Sequence, residues 1–167
     1  MIVRVNKDNL DEYENFIKKH PKGLFQHSSK WAKVKSAWKF EAVMLKDENG
    51  EIRGSAAVLI RSIPIIKNSL MYCCRGFVCD ENDFDTFDKL FNALLELGKE
   101  YKAYCIKIDP EIVIQNEAYK KHLLQKGFIE LNPGCRDFEN VQPRFVYCFD
   151  YNGMNEDELM LTFKPDY

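Results

Sequence analysis

The stretch Asp83–Pro110, DFDTFDKLFNALLELGKEYKAYCIKIDP, contains the two elements that decide the fold. Its first part places apolar residues every three or four positions from Phe84 to Leu97, which predicts a long amphipathic helix. The alternating segment AYCIKID, 103–109, then predicts a strand that Pro110 ends. A helix followed directly by a strand indicates a sheet packed against helices, in an α/β or α+β domain.

The rest of the chain continues this alternation of helices and strands. Asn49-Gly50 between two apolar runs predicts a β-hairpin, and Gly127 predicts the end of a helix. We predict further strands over 1–5, 69–74 and 144–151, and helices over 8–20, 28–38, 83–101, 115–126 and 155–163. Because no repeat or linker interrupts this order, we expect one domain over 1–167, a mixed sheet flanked by helices.

The composition narrows the function. The chain has 167 residues, a net charge of −2 and a pI near 6.0, which gives no overall reason to expect nucleic-acid or membrane-surface binding. These values do not exclude a local basic groove. No apolar run approaches the about 20 residues of a membrane span or forms a signal peptide, so we expect a cytoplasmic protein without stable membrane insertion. Six scattered cysteines are expected as buried thiols, and three scattered histidines predict no metal site.

The segment FQHSSKWAKVKSAW, 25–38, is the first candidate for binding chemistry. It places Trp31, Val34, Lys35 and Trp38 on one broad face of a predicted helix. One interpretation is that the tryptophans pack into the core while the lysines are solvated. The other is a cationic site beside aromatic rings, suited to a phosphorylated or sugar-bearing ligand.

The end of the predicted strand at 103–109 is the second candidate. Asp109 follows an apolar strand, where α/β sheets bind ligands, so it is the candidate acid or base; its alternative role is to brace the turn at Pro110. Tyr104 lies five residues earlier and would face the opposite side of an ideal strand, so both can reach one ligand only across a bend.

Two further segments bear on the ligand. In ENVQPR, 139–144, Gln142 and Arg144 could contact a ligand or tie loops together, and the turn residues favour the structural role. The single glycine Gly76 does not make the pyrophosphate loop of coenzyme A-dependent acetyltransferases, and the nucleotide-binding glycine motifs are missing. We therefore predict no cofactor, and simple acetyl transfer is disfavoured.

Five segments in this order are similar to the Fem-type (FemABX) peptidoglycan bridge-forming aminoacyltransferases: FQHSSKWAKVKSAW, LMYCCRGFVCD, AYCIKIDPEI, LLQKGF and ENVQPRFVYCFDY. The resemblance runs from Glu12 to Phe163. It implies an enzyme that takes an amino acid from aminoacyl-tRNA and attaches it to the stem peptide of a UDP-linked or lipid-linked peptidoglycan precursor. It also implies two acetyltransferase-type (GNAT-like) domains, a helical arm in the second, and no coenzyme A.

The resemblance implies roles for individual residues. Lys35 matches a lysine that contacts the precursor's phosphates, while Tyr104 and Asp109 match residues near the accepting amine. Trp38 and Arg144 are expected as further substrate contacts. Such an amine has an ordinary pKa of about 10.4 and must be neutral to attack, so Asp109 would accept its proton or position it.

The sequence ends at FKPDY, where relatives continue into a second domain. The resemblance therefore implies that 1–167 is the N-terminal domain and that the C-terminal half of the enzyme is missing. Two alternatives stay open: a non-catalytic module that binds the precursor, and an acyl-CoA N-acyltransferase of related fold.

Overall fold

The computed structural model describes residues 1–65, 67–113, 115–131 and 149–163. The chain divides into two compact units, Met1–Ile129 and Glu130–Tyr167. Arg144 and Gln142 lie outside the described residues, as does most of the strand predicted over 144–151.

A five-stranded mixed sheet forms the centre of the first unit, with strands in the order of the chain. The strands are β1 Ile2–Arg4, β2 Lys39–Lys46, β3 Ile52–Ile63, β4 Asn68–Cys73 and β5 Ala103–Ile108. The first four pair antiparallel, whereas β5 runs parallel to β4. The predicted hairpin is confirmed between β2 and β3, where Asp47 accepts two amide hydrogen bonds at 2.9 Å and Gly50 has a φ of +87°.

The helices confirm most of the predicted pattern. They are α1 Leu10–Lys19, α2 Ser29–Val34, α3 Phe84–Glu100, α4 Glu117–Gln125 and, in the second unit, α5 Glu156–Thr162. The Asp83 side chain caps α3 by accepting the Thr86 amide at 3.0 Å. Asn155 and Glu158 form a reciprocal capping box at the start of α5.

One helix is shorter than predicted. The helix α2 ends at Val34, although the sequence pattern predicted that it would continue through Trp38. Lys35 leaves the helical conformation, with φ −89° and ψ 51°, and the Trp38 amide closes a turn onto the Lys35 carbonyl at 2.8 Å. The chain turns here because it must enter β2 at Lys39.

The core divides between the two faces of the sheet. On one face, α3 buries Phe87, Leu90 and Leu94. Phe91, Ile106 and Ile108 are half-buried and pack against the same cluster. On the other face, α1 buries Tyr13 and Ile17 against β2 and β3. Both faces of β2 and β3 are therefore covered.

The described cysteines are free thiols, and one departs from prediction. Cys73, Cys74 and Cys79 are buried as expected, but Cys105 is exposed because it lies on β5 and points away from α3. None of the described helices is long and apolar enough to cross a membrane.

Candidate functional site

The parallel pairing of β4 and β5 brings two chain segments together at one edge of the sheet. Cys73, the last residue of β4, pairs with Ile108, the last residue of β5. The loop Cys74–Gly76 and the residue Asp109 follow these two strand ends. One carboxylate oxygen of Asp109 accepts the Arg75 amide hydrogen bond at 2.8 Å. This is the edge at which open α/β sheets bind ligands.

The carboxyl of Asp109 is held in an unusual environment. Its second oxygen, Oδ2, is buried and accepts no hydrogen bond of standard geometry from the described residues. Burial raises the pKa of Asp109, while the Arg75 amide, the nearby Tyr72 hydroxyl and the Lys107 cation act in the opposite direction. A carboxyl with a raised pKa is better suited to accept and return a proton.

The loop beside Asp109 has a constrained backbone. Arg75 has a φ of +59° and Gly76 a φ of +78°, both in the left-handed region. A side chain at Gly76 would lie 2.9 Å from Pro110, so only glycine fits this approach. The Arg75 Nε atom is buried without a hydrogen-bond partner among the described residues. Constrained backbone and unpaired buried polar atoms are typical of functional sites.

Cations lie above the rings of both tryptophans. The Lys35 ammonium is 5.1 Å from the ring centre of Trp31, and the Arg61 guanidinium is 5.7 Å from that of Trp38. Both tryptophans are half-buried, so neither is a sealed core residue. These contacts fit the cationic-aromatic interpretation better than the core-packing one.

The alternation of the strands adds one more cation. Ile60, Met71 and Ile106 face α3, so their neighbours Arg61, Tyr72 and Lys107 lie on the opposite face of the sheet.

Lys107 was missed at the sequence level. Its ammonium is 5.6 Å from the ring centre of Tyr72, and it precedes Asp109 by two positions on β5. That spacing was the signal that could have found it, because residues two apart on a strand share a face.

Burial raises the pKa of the Cys74 thiol, and the Asp109 carboxylate raises it further. The Tyr72 hydroxyl and the cations of Arg75 and Lys35 act in the opposite direction.

Tyr104 is placed differently. It lies in a bulge of β5, because Ser69 pairs with Ala103 and the next residue of β4 pairs with Cys105. Its exposed side chain borders an open depression between α3 and the edge of β5, and Lys35 and Asp109 lie outside that depression. The convergence of all three residues on one ligand stays a prediction. Among the described residues, no group of three potential metal ligands comes together.

The fold corresponds to the acetyltransferase class. The structure resembles an aminoglycoside acetyltransferase from an uncultured soil metagenomic sample, with a TM-score of 0.61 and 17% identity, covering 83% of this chain and 96% of that chain. It also resembles a probable acetyltransferase, with a TM-score of 0.57 and 14% identity, covering 90% of this chain and 99% of the other. These similarities establish the predicted GNAT-like α+β fold.

The sequence identifies the family within that class. The profile of the FemAB family matches residues 9–167, so the chain belongs to the FemAB family, as the resemblance predicted. It is 31% identical over 159 residues to the lipid II:glycine glycyltransferase of Staphylococcus epidermidis and 30% identical over 161 residues to that of Staphylococcus aureus. Each match covers 92% of this chain, which spans about 37% of the length of these relatives. The crystal structure of FemX matches with a TM-score of 0.66 and 29% identity, covering 75% of this chain and 31% of that chain.

Proposed function

We propose that residues 1–167 form the N-terminal acyltransferase-like domain of an aminoacyltransferase that adds an amino acid to the stem peptide of a peptidoglycan precursor. Aminoacyl-tRNA is the donor, and a second domain with a helical arm completes the enzyme. Membership of the FemAB family and the names of the glycyltransferase relatives support this reaction class. The observation that carries the proposal is the association of a partly desolvated carboxyl, Asp109, with cations above aromatic rings.

The cations suit the diphosphate of the precursor. A diphosphate needs positive charge, which Lys35, Arg61 and Lys107 supply without a carboxylate partner among the described residues. The ring of Trp38 can pack against a sugar while it holds Arg61. Tyr104 is proposed as a further substrate contact from the family resemblance, and Arg144 from its place in the polar segment ENVQPR.

The Asp109 carboxyl suits the reacting end of the precursor, which is its accepting amine. In the proposed reaction, the nitrogen of the accepting amine attacks the carbonyl carbon of the aminoacyl ester. The new C–N bond replaces the C–O bond to the tRNA ribose. The amine gives up a proton, which Asp109 accepts and returns to the departing ribose hydroxyl. The raised pKa of Asp109 favours the first transfer, in which the carboxylate accepts the proton, and its bond to the Arg75 amide fixes its orientation.

A non-catalytic role in binding the precursor is the second candidate. It is favoured by the cations above aromatic rings, which can bind a phosphorylated ligand without any catalytic group. We expect the 167-residue chain alone to show no aminoacyl transfer. Transfer restored by the missing half would favour the enzyme, and binding that the missing half does not convert into transfer would favour the module.

The binding test uses the whole chain and a UDP-linked muramyl peptide in a calorimetric titration at low salt. We expect saturable binding that Lys35→Ala weakens. Lys18→Ala, which removes the same charge from the exposed surface of α1, is the matched control and should leave binding unchanged. Equal weakening by both variants, or no binding by the wild type, would contradict the proposal. Saturable binding of coenzyme A would instead indicate an acyl-CoA N-acyltransferase.

A further inference from the structure

His27 is a buried residue that the proposed reaction does not use. It ends the short 3-10 helix Phe25–His27 and is 1% exposed. Its Nδ1 accepts the Leu24 amide hydrogen bond at 3.0 Å, and its main-chain carbonyl accepts the Tyr13 hydroxyl at 2.6 Å. A ring nitrogen that accepts a hydrogen bond carries no proton, so the proton of the neutral ring is on Nε2.

The ring is neutral at physiological pH. Burial lowers the pKa of His27 to about 4, and the carbonyls of Cys74 and Gly76 oppose that shift because they lie beside the ring. Nε2 is buried and makes no hydrogen bond of standard geometry with the described residues. A buried N–H without a partner is costly, so these two carbonyls are its natural acceptors.

The two carbonyls flank one residue, Arg75. Its left-handed backbone, with a φ of +59°, directs its amide at Asp109 over 2.8 Å. A second contact holds the same loop, since the Cys73 thiol donates to the Gly76 carbonyl at 3.2 Å. A hydrogen bond from His27 to either carbonyl would therefore connect its ring to the carboxyl of Asp109 through a single turn of backbone.

We infer that His27 is a positioning residue for Asp109: its Nε2–H holds the loop Cys74–Gly76 in the conformation that aims the Arg75 amide at the carboxylate. The inference rests on the proposed role of Asp109 in transfer. Its test measures the carboxyl and the loop themselves. The positioning role can therefore fail while the proposed function stands, and the proposed function can fail while the positioning role stands.

Two substitutions separate the two nitrogens of the ring. In His27→Asn, the side-chain oxygen can replace Nδ1 as acceptor for Leu24, but no donor reaches the loop. In His27→Gln, the amide nitrogen can replace Nε2 as donor to the loop, while the Leu24 bond is lost. Asn is one methylene group smaller than Gln, so a larger effect in His27→Asn must be checked against the position of the ring proton in the wild type, which does not depend on volume.

The experiment follows the Asp109 carboxyl and the Arg75 amide by NMR in the full chain. The Arg75 hydrogen bond lowers the pKa of Asp109, so weakening it raises that pKa. We expect His27→Asn to raise the pKa of Asp109 and shift the Arg75 amide resonance, and His27→Gln to stay close to the wild type. The Asp88 carboxyl, which is bound by His122 and Lys126, should keep its lowered pKa in both variants and so reports intact folding.

The inference is overturned if both variants shift the Asp109 pKa equally, or if neither does. If His27→Asn does not fold, nitrogen NMR spectra of the wild type test the inference instead. Nitrogen spectra should then show the His27 proton on Nε2 with a coupling to the carbonyl carbon of Cys74 or Gly76. A proton on Nδ1 would show that the ring does not donate to the loop, and the inference would be wrong.

Discussion

Two carboxyls, one buried and one half-buried, show how differently the two ends of the sheet are built. Glu41 on β2 is 8% exposed and lies on the face covered by α3. It accepts hydrogen bonds from Arg4, at 2.9 Å, and from the Tyr101 hydroxyl, and Lys39 is 3.1 Å away. Asp109 has one amide donor and one buried oxygen without a standard partner among the described residues. The first is stabilised by several charged and hydroxyl donors; the second has fewer donors, an amide and the nearby Tyr72 hydroxyl, as is expected of a site that exchanges a ligand or a proton.

The same contrast holds for whole regions. The α3 side contains buried apolar side chains and one buried charge, Glu41, whose hydrogen bonds are all made, which is the pattern of a stabilising core. The edge formed by Cys74–Gly76 and Asp109 contains left-handed backbone and an arginine nitrogen that has no hydrogen-bond partner in the described part of the chain, and the buried His27 lies near it. Sites that depart from local rules in this way are expected where function is selected over stability.

The largest expected effect is on the α3 side. Leu94 is fully buried, so Leu94→Ala should lower the free energy of unfolding by about 2–5 kcal/mol, because a cavity is added to the lost burial. Leu95 is its neighbour on α3 and is 40% exposed, so Leu95→Ala is the matched control and should cost much less. Denaturant unfolding followed by circular dichroism measures both. Equal losses would show that α3 does not present one face to the core.

The next effect is on the loop beside Asp109. Gly76→Ala should lower the free energy of unfolding by about 1–3 kcal/mol, because the new methyl group meets Pro110 and the φ is left-handed. Gly50→Ala in the hairpin has a similar φ of +87° but no atom within 4 Å of the new methyl group. The difference between the two variants in denaturant unfolding therefore measures the close packing alone. A larger loss for Gly50→Ala would contradict the tight approach to Pro110.

The two carboxyls should give opposite pH dependences. Burial acts to raise the pKa of Glu41, but hydrogen bonds from Arg4, Tyr101 and Lys39 outweigh it and lower the pKa below 4.5. Glu41 therefore adds stability above that pH, and the contribution is lost as the pH falls through its folded pKa. The pKa of Asp109 is raised above 3.8, so its contribution to stability falls as the pH rises through its folded pKa.

Unfolding measured from pH 3 to 7 tests this comparison in Glu41→Gln and Asp109→Asn. We expect Glu41→Gln to be most destabilising at neutral pH. Asp109→Asn keeps an acceptor for the Arg75 amide and removes the charge, so it should be closest to the wild type at low pH and gain relative to it as the pH rises. A large loss of stability in Asp109→Asn at neutral pH would support the alternative in which Asp109 only braces the turn at Pro110.

The sequence predicted the regular elements better than the site. The pattern of α3, the alternation of β5 and the turn at Asn49-Gly50 are local, so each is readable in a short window. The contact of Lys35 with Trp31 follows from their spacing of four on a helix. By contrast, the contact of Arg61 with Trp38 depends on the register of the β2–β3 hairpin, which pairs Lys39 with Ile60.

Other features of the site depend on tertiary packing alone. Nothing near His27 in the sequence shows that its ring will lie beneath residues 74–76. The left-handed backbone of Arg75 and the bulge at Tyr104 are likewise set by contacts between distant segments. The single glycine at position 76 excluded a nucleotide loop but did not show that its role is to let the chain approach Pro110.

The smallest expected effect tests whether Lys107 belongs to the site. The Lys107 cation lowers the pKa of Asp109, so Lys107→Gln should raise that pKa in an NMR titration of the carboxyl. The change should be small and should shrink with added salt, because Lys107 is half-exposed and its charge is screened. Lys99→Gln on α3 removes an equal charge that is paired with Glu96, and it should leave Asp109 unchanged. If Lys99→Gln shifted Asp109 as much as Lys107→Gln did, the effect would come from net charge, and Lys107 would have no special position beside the carboxyl.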